Sequence, residues 1–102
     1  MARLLAMYKK PADTAAFDRY YFATHVPLAK KLSGLTSYDV SEGPIATPDG
    51  VAPYHLIATL AFDSVEAIQS AISSAEGQAV VADLANFASA GVDIYIIDTK
   101  TV

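Results

Sequence analysis

Apolar and polar positions along this chain fall into blocks of two different periods. Residues 2–10, "ARLLAMYKK", form a short apolar run ending in charge, the pattern of a strand covered on both faces. Pro11 closes the run and Asp13 supplies an N-cap. Phe17, Tyr20, Tyr21, Thr24, Leu28 and Leu32 then recur at helical spacing until Gly34. Residues 35–42, "LTSYDVSE", predict a second strand, with Thr36, Tyr38 and Val40 on one face and Leu35, Ser37 and Asp39 on the other. Residues 43–53 hold three of the five prolines and two of the five glycines, which marks a loop between two antiparallel strands. "YHLIATLAF" (Tyr54–Phe62) is the clearest strand, and alternation sets Tyr54 on the face opposite His55, Ile57, Thr59 and Ala61.

Asp63 with Glu66 makes a capping-box start for a helix through Ser74 that turns Val65, Ile68, Ala71 and Ile72 inward. Ser73 or Ser74 with Glu76 opens a further helical piece lined by Val80, Leu84 and Phe87. Gly91 ends it, and "VDIYIID" (Val92–Asp98) is the last strand. The order is β-α-β-β-α-(α)-β, so the fold class is α+β and ferredoxin-like, one domain over residues 1–102. Helices cover one face of such a sheet. The strands do not alternate cleanly, so the other face is expected to be covered too, by the sheet of a second copy in a homodimer.

Composition strengthens that expectation. Of 102 residues, 53% are hydrophobic and 18% charged, more apolar material than one small globule encloses. The seven basic residues are scattered and the net charge is −4, which leaves no stripe to track a nucleic acid. There is no cysteine, hence no disulfide, thiolate metal site or cysteine nucleophile. No apolar run approaches the roughly 18 residues of a membrane span, and "LLAMY" is too short for a signal-peptide core. The expected location is the cytoplasm.

The candidate chemistry lies in "YYFATHVPLAKKLSGL", residues 20–35. Pro27 has no N–H, so the helix must kink or restart between residues 23 and 27, and His25 sits at that break. Tyr21 lies one turn before it on the same face. Histidine exchanges protons near neutrality, which makes His25 a candidate base. The plainer alternative is a residue bonding the last carbonyls of its helix. His55, the only other histidine, stands at a strand start, where a lone histidine is more often an edge residue than a catalyst, and Tyr38 has the alternative of a core phenol bonded to a carbonyl. Two histidines thirty positions apart make no local metal motif. No metal or cofactor is expected, although a single axial histidine keeps a haem reading open.

The doubled aromatic Tyr20–Tyr21, then three residues, His25, one residue, Pro27–Leu28–Ala29 and finally Gly34–Leu35 resemble the signature of the EthD-like family of dimeric α+β barrel proteins. The resemblance spans the whole chain; Ser33 departs from a frequent proline before the glycine. It implies two subunits forming a shared barrel, each with a cavity between sheet and helices into which His25 projects. The methylmuconolactone isomerases of the wider superfamily are similar in using two histidines and a tyrosine, and His25, His55 and Tyr38 stand at comparable places. Tyr21, Phe17 and Leu28 are the expected substrate contacts. The implied function is cofactor-free proton transfer on a small lactone, quinone or hydroxylated aromatic compound, of isomerase or monooxygenase type. The alternative is a non-catalytic accessory protein that binds a small hydrophobic molecule or haem. The loop at residues 43–53 is expected to flank the cavity entrance.

Overall fold

The computed structural model describes residues 1–102 throughout. Its elements are β1 (Ala2–Lys9), α1 (Thr14–Tyr20), a π-helical turn (Tyr21–His25), α2 (Val26–Ala29) and β2 (Ser37–Val40). They continue with β3 (Ala46–Thr47), β4 (Gly50–Val51), β5 (Tyr54–Phe62), α3 (Val65–Ser73), α4 (Ala75–Phe87) and β6 (Val92–Asp98). Four strands form one antiparallel sheet in the order β2-β5-β1-β6. β5 separates β1 from β2 and β1 separates β5 from β6, the split βαβ arrangement of a ferredoxin-like fold. No helix is long and apolar enough to cross a membrane.

The sheet's inner face carries Ala2, Ala6, Tyr8, Leu56, Ala58, Leu60 and Phe62, which form the buried core with Phe17, Tyr21 and Ile68 from the helices. By strand alternation Leu5, Met7, Ile57, Tyr95 and Ile97 fall on the other face, where no helix packs. Tyr95 is 55% exposed and Ile97 40%.

Three local features depart from what periodicity predicts. The first helix widens rather than simply kinks: the Val26 N–H donates to the Tyr21 carbonyl, five residues back. An α-helix turns about 100° per residue, so a row at four-residue spacing drifts about 40° per step. The wide turn absorbs that drift and keeps Phe17, Tyr21, His25 and Ala29 all buried. Thr24, expected inward, is therefore exposed. The second departure is the cap of α3, which is Ser64 and not Asp63: the Ser64 hydroxyl accepts from the Ala67 N–H at 3.0 Å. The third is in the 43–53 loop, where β3 and β4 make a small hairpin closed by the Thr47 hydroxyl donating to the Gly50 carbonyl at 3.0 Å.

Asp13 caps α1 as expected, accepting from the Ala16 N–H at 3.0 Å. Ser74 stands extended between α3 and α4 and caps the second of them through the Gly77 N–H at 3.1 Å. Gly77 then passes so close to α3 that a Cβ on it would lie 2.1 Å from the Ala71 carbonyl oxygen.

Candidate active site

The π-helical turn delivers His25 to the junction of α4 and the sheet, where the side chain is 4% exposed. Wide turns of this kind are frequent at functional sites. The imidazole Nδ1 and Asp83 Oδ2, on α4, are 2.9 Å apart. Tyr20 donates its hydroxyl to Asp83 Oδ1 at 2.5 Å, and the Asn86 amide donates to the same oxygen at 3.0 Å. An ionised carboxylate only accepts, so the proton sits on Nδ1 and Nε2 carries the lone pair. Nε2 lies 3.5 Å from the Tyr8 hydroxyl. Rings hold the imidazole from two further sides, Phe87 at 4.7 Å and Tyr21 at 5.5 Å between centroids.

Burial lowers the His25 pKa, and the hydrogen bond and charge of Asp83 recover only part of that shift. Burial by itself would raise the Asp83 carboxyl, but the bonds from Tyr20, Asn86 and His25 outweigh it and hold it below the usual carboxylate range. Both directions describe a neutral imidazole against a carboxylate. Burial also pushes the Tyr8, Tyr21 and Tyr38 phenols up, so all three stay protonated as donors.

His25 lines a cavity of about 240 Å³ together with Tyr8, Tyr21 and Tyr38. Aliphatic side chains such as Leu60, Val80 and Leu84 make up most of the remaining wall. The Tyr21 and Tyr38 hydroxyls are 2.6 Å apart. The structure thus brings together His25, Tyr21 and Tyr38. Phe17 is packed in the core between Tyr8, Tyr21 and His55 and does not reach the cavity. Leu28 is half-buried and also off the wall, where Ala29 and Leu32 stand in its place.

His55 lies elsewhere. Its Nε2 is 2.7 Å from Asp18 Oδ1, in a wider cleft of about 570 Å³ that includes Lys10 and Glu42. Its face also differs from simple alternation. Lys9 pairs with Tyr54 whereas Tyr8 pairs with Leu56, so His55 is the extra residue of a bulge. It therefore turns toward α1, where Phe17 meets its ring edge-on at 5.1 Å, and not to the side of Ile57 and Thr59. The 43–53 loop borders this second cleft through Gly43, Pro44, Ile45 and Val51, not the His25 cavity.

Sequence reasoning missed Asp83, Tyr8, Tyr20 and Asn86. A signal for Asp83 was present: it lies three residues after Val80 and four before Phe87, on the row that α4 turns inward. A carboxylate there needs a buried partner.

These features define a class: a small ferredoxin-like α+β domain with a histidine–aspartate pair facing an apolar cavity. The family model described as the EthD domain matches residues 9–91, and the chain belongs to the EthD family. It is 39% identical to an uncharacterized 11.0 kDa protein from the thcB-thcC intergenic region of Rhodococcus erythropolis, over 100% of this chain and 98% of that one. The crystal structure of an ethyl tert-butyl ether d (ethd) family protein from Bacillus halodurans C-125 superposes with a TM-score of 0.89 at 33% identity. That match covers 98% of this chain and 99% of the other. Two more distant structures share the fold. SnoaB, a cofactor-independent oxygenase from Streptomyces nogalater, aligns with a TM-score of 0.69 at 10% identity over 99% of this chain and 94% of its own. A dimeric ferredoxin-like protein from Jannaschia sp. CCS1 aligns with a TM-score of 0.68 at 17% identity over 96% and 98%.

Proposed function

We propose that this EthD protein is a cofactor-free enzyme in which His25 removes a proton from a small lactone, quinone or hydroxylated aromatic compound. The observation that carries the reading is the Asp83–His25 pair, which leaves the Nε2 lone pair among three tyrosines in an apolar cavity. Asp83 fixes the tautomer and steadies the imidazolium that forms when Nε2 takes a proton. A phenol of the Tyr21–Tyr38 pair donates to the oxyanion of the resulting enolate. Return of the proton at another carbon makes the protein an isomerase. With an electron-rich anthrone, the carbanion itself reduces oxygen: one oxygen atom enters the substrate as a carbonyl and the other leaves as water. The fold shared with SnoaB, a cofactor-independent oxygenase, supports the second outcome as a reaction this architecture accommodates.

His55 has no place in this step, because it faces the other cleft. The active species is a homodimer, a reading supported by the uncovered apolar sheet face and by the dimeric neighbour of the same fold.

The test is wash-in of deuterium at the acidic C–H of 2-tetralone (next to its carbonyl), of a panel of lactones and of anthrones (at the methylene opposite the carbonyl) in D2O, followed by NMR, with oxygen uptake recorded in parallel. His25→Gln is expected to slow exchange by about 10²- to 10⁴-fold, the usual worth of a positioned base. Wild-type protein that binds these compounds but exchanges none faster than buffer would point to the accessory role instead.

A further inference from the structure

We infer that the His25 cavity selects neutral, flat ring compounds carrying a single oxygen at one end, bound oxygen-first with the ring toward the mouth. The selection narrows the proposed reaction to ketones and hydroxylated aromatic compounds, disfavouring lactones and quinones with their second oxygen, and shares its premise that His25 faces the substrate.

Charge is the first ground. No Lys, Arg, Asp or Glu lines the cavity, and its hydrogen-bonding side chains are those of Tyr8, Tyr21, Tyr38 and His25. Asp83 stands behind the imidazole and is already bonded by Tyr20, Asn86 and His25. A carboxylate or phosphate entering here would shed its hydration with no cation to replace it, close to the charge of Asp83.

Depth is the second. Tyr21 is fully buried and His25 only 3% exposed, whereas Val81 and Ile94 on the same wall are 49% and 44% exposed. Tyr8, Tyr21 and His25 thus lie at the closed end, with the half-buried Tyr38 bonded to Tyr21, and aliphatic groups rim the open one. Ala6 and Ala58 are direct cross-strand partners in the wall. The sheet projects only methyl groups there, which leaves a slot suited to a ring.

Hydrogen-bond counting supplies the third. Each phenol carries one proton, and the 2.6 Å contact between Tyr21 and Tyr38 uses one of the two. The pair has one left to donate, and Nε2 is an acceptor met within the protein only by the Tyr8 hydroxyl, at 3.5 Å. One oxygen group satisfies both: a phenol donates to Nε2 and accepts from the pair, while a ketone accepts from the pair and presents its neighbouring C–H to Nε2. A second polar substituent would be set among aliphatic side chains.

Calorimetric titration of the wild-type protein with 2-naphthol and 2-naphthoate tests the charge rule. 2-Naphthol is expected to bind at least tenfold more tightly; equal affinities, or no binding of 2-naphthol, would overturn the selection. Orientation is tested with 6-hydroxy-2-naphthoate, whose carboxylate is then at the mouth. Val81→Lys, a change at an exposed position, is expected to shift the affinity ratio at least tenfold toward this compound over 2-naphthol. An unshifted ratio would overturn the oxygen-first pose. Neither titration needs turnover. Selective binding without deuterium exchange removes the reaction and keeps the selection, and exchange with equal binding of 2-naphthoate does the reverse.

Discussion

The side chain with the most consequences is His25, because its neutrality is built into its surroundings. Burial lowers its pKa below that of the unfolded chain, so between those two values the unfolded chain binds the extra proton. Stability associated with His25 is therefore complete above about pH 6.5 and falls as pH drops through the lowered folded value. Asp83, also lowered, adds a loss only further down, in the carboxylate range. Thermal melts from pH 8 to pH 5 should show this slope in the wild type and a flatter one in His25→Gln; parallel slopes would contradict it. Catalysis should share the acid limb, since a protonated imidazole cannot act as a base. Asp83→Ala is expected to cost about 1–3 kcal/mol, mainly by leaving the buried Nδ1–H without an acceptor. Asp83→Asn should retain more of the stability yet still slow exchange, because the amide no longer dictates the tautomer. Comparison of denaturation midpoints with exchange rates separates the two effects. His25 itself stood out in the sequence as a histidine beside a proline within an aromatic helix. Its partner did not, because pairing across 58 positions depends only on how α4 docks.

At the scale of elements, boundaries set by strong local signals were readable and phase changes were not. Tyr54–Phe62 and Val92–Asp98 could be bounded from composition and flanking glycine or proline alone. The widened turn at Tyr21–His25 and the bulge at His55 each add one residue to a regular pattern, and each rotates the side chains beyond it. Periodicity assumes a constant step, so it set Thr24 inward and His55 beside Ile57. The cap at Ser64 instead of Asp63 is a competition between adjacent residues of similar capping strength. Where α3 meets α4, Gly77 gives a sharp prediction. An alanine Cβ would lie 2.1 Å from the Ala71 oxygen and 2.5 Å from the Ile72 oxygen, both backbone atoms. Gly77→Ala must push the helices apart and is expected to destabilise by roughly 1–3 kcal/mol, as overpacking does. A lowered denaturant midpoint with an unchanged slope would bear this out; an unchanged midpoint would refute it.

On the scale of the whole molecule, the sheet has one face under helices and one without. Tyr95 and Ile97 on the bare face are expected to be covered by a second copy, doubling the 10.8 kDa mass seen by light scattering. Tyr95→Lys with Ile97→Lys should return the protein to a folded monomer. A wild type that is monomeric at micromolar concentration would remove that interface. What the sequence determined by itself was the ferredoxin-like order of elements, the surplus of apolar surface and a histidine at a helix break. Each is carried by local spacing or bulk composition, which survive without coordinates. Tertiary structure alone decided that His25 pairs with Asp83, that Tyr38 reaches the Tyr21 hydroxyl beside it, and that His55 is turned into a separate cleft. Those outcomes depend on the docking of α4, the pairing of β2 with β5 and a single bulged residue. They are contacts between distant parts of the chain, and no local pattern encodes them.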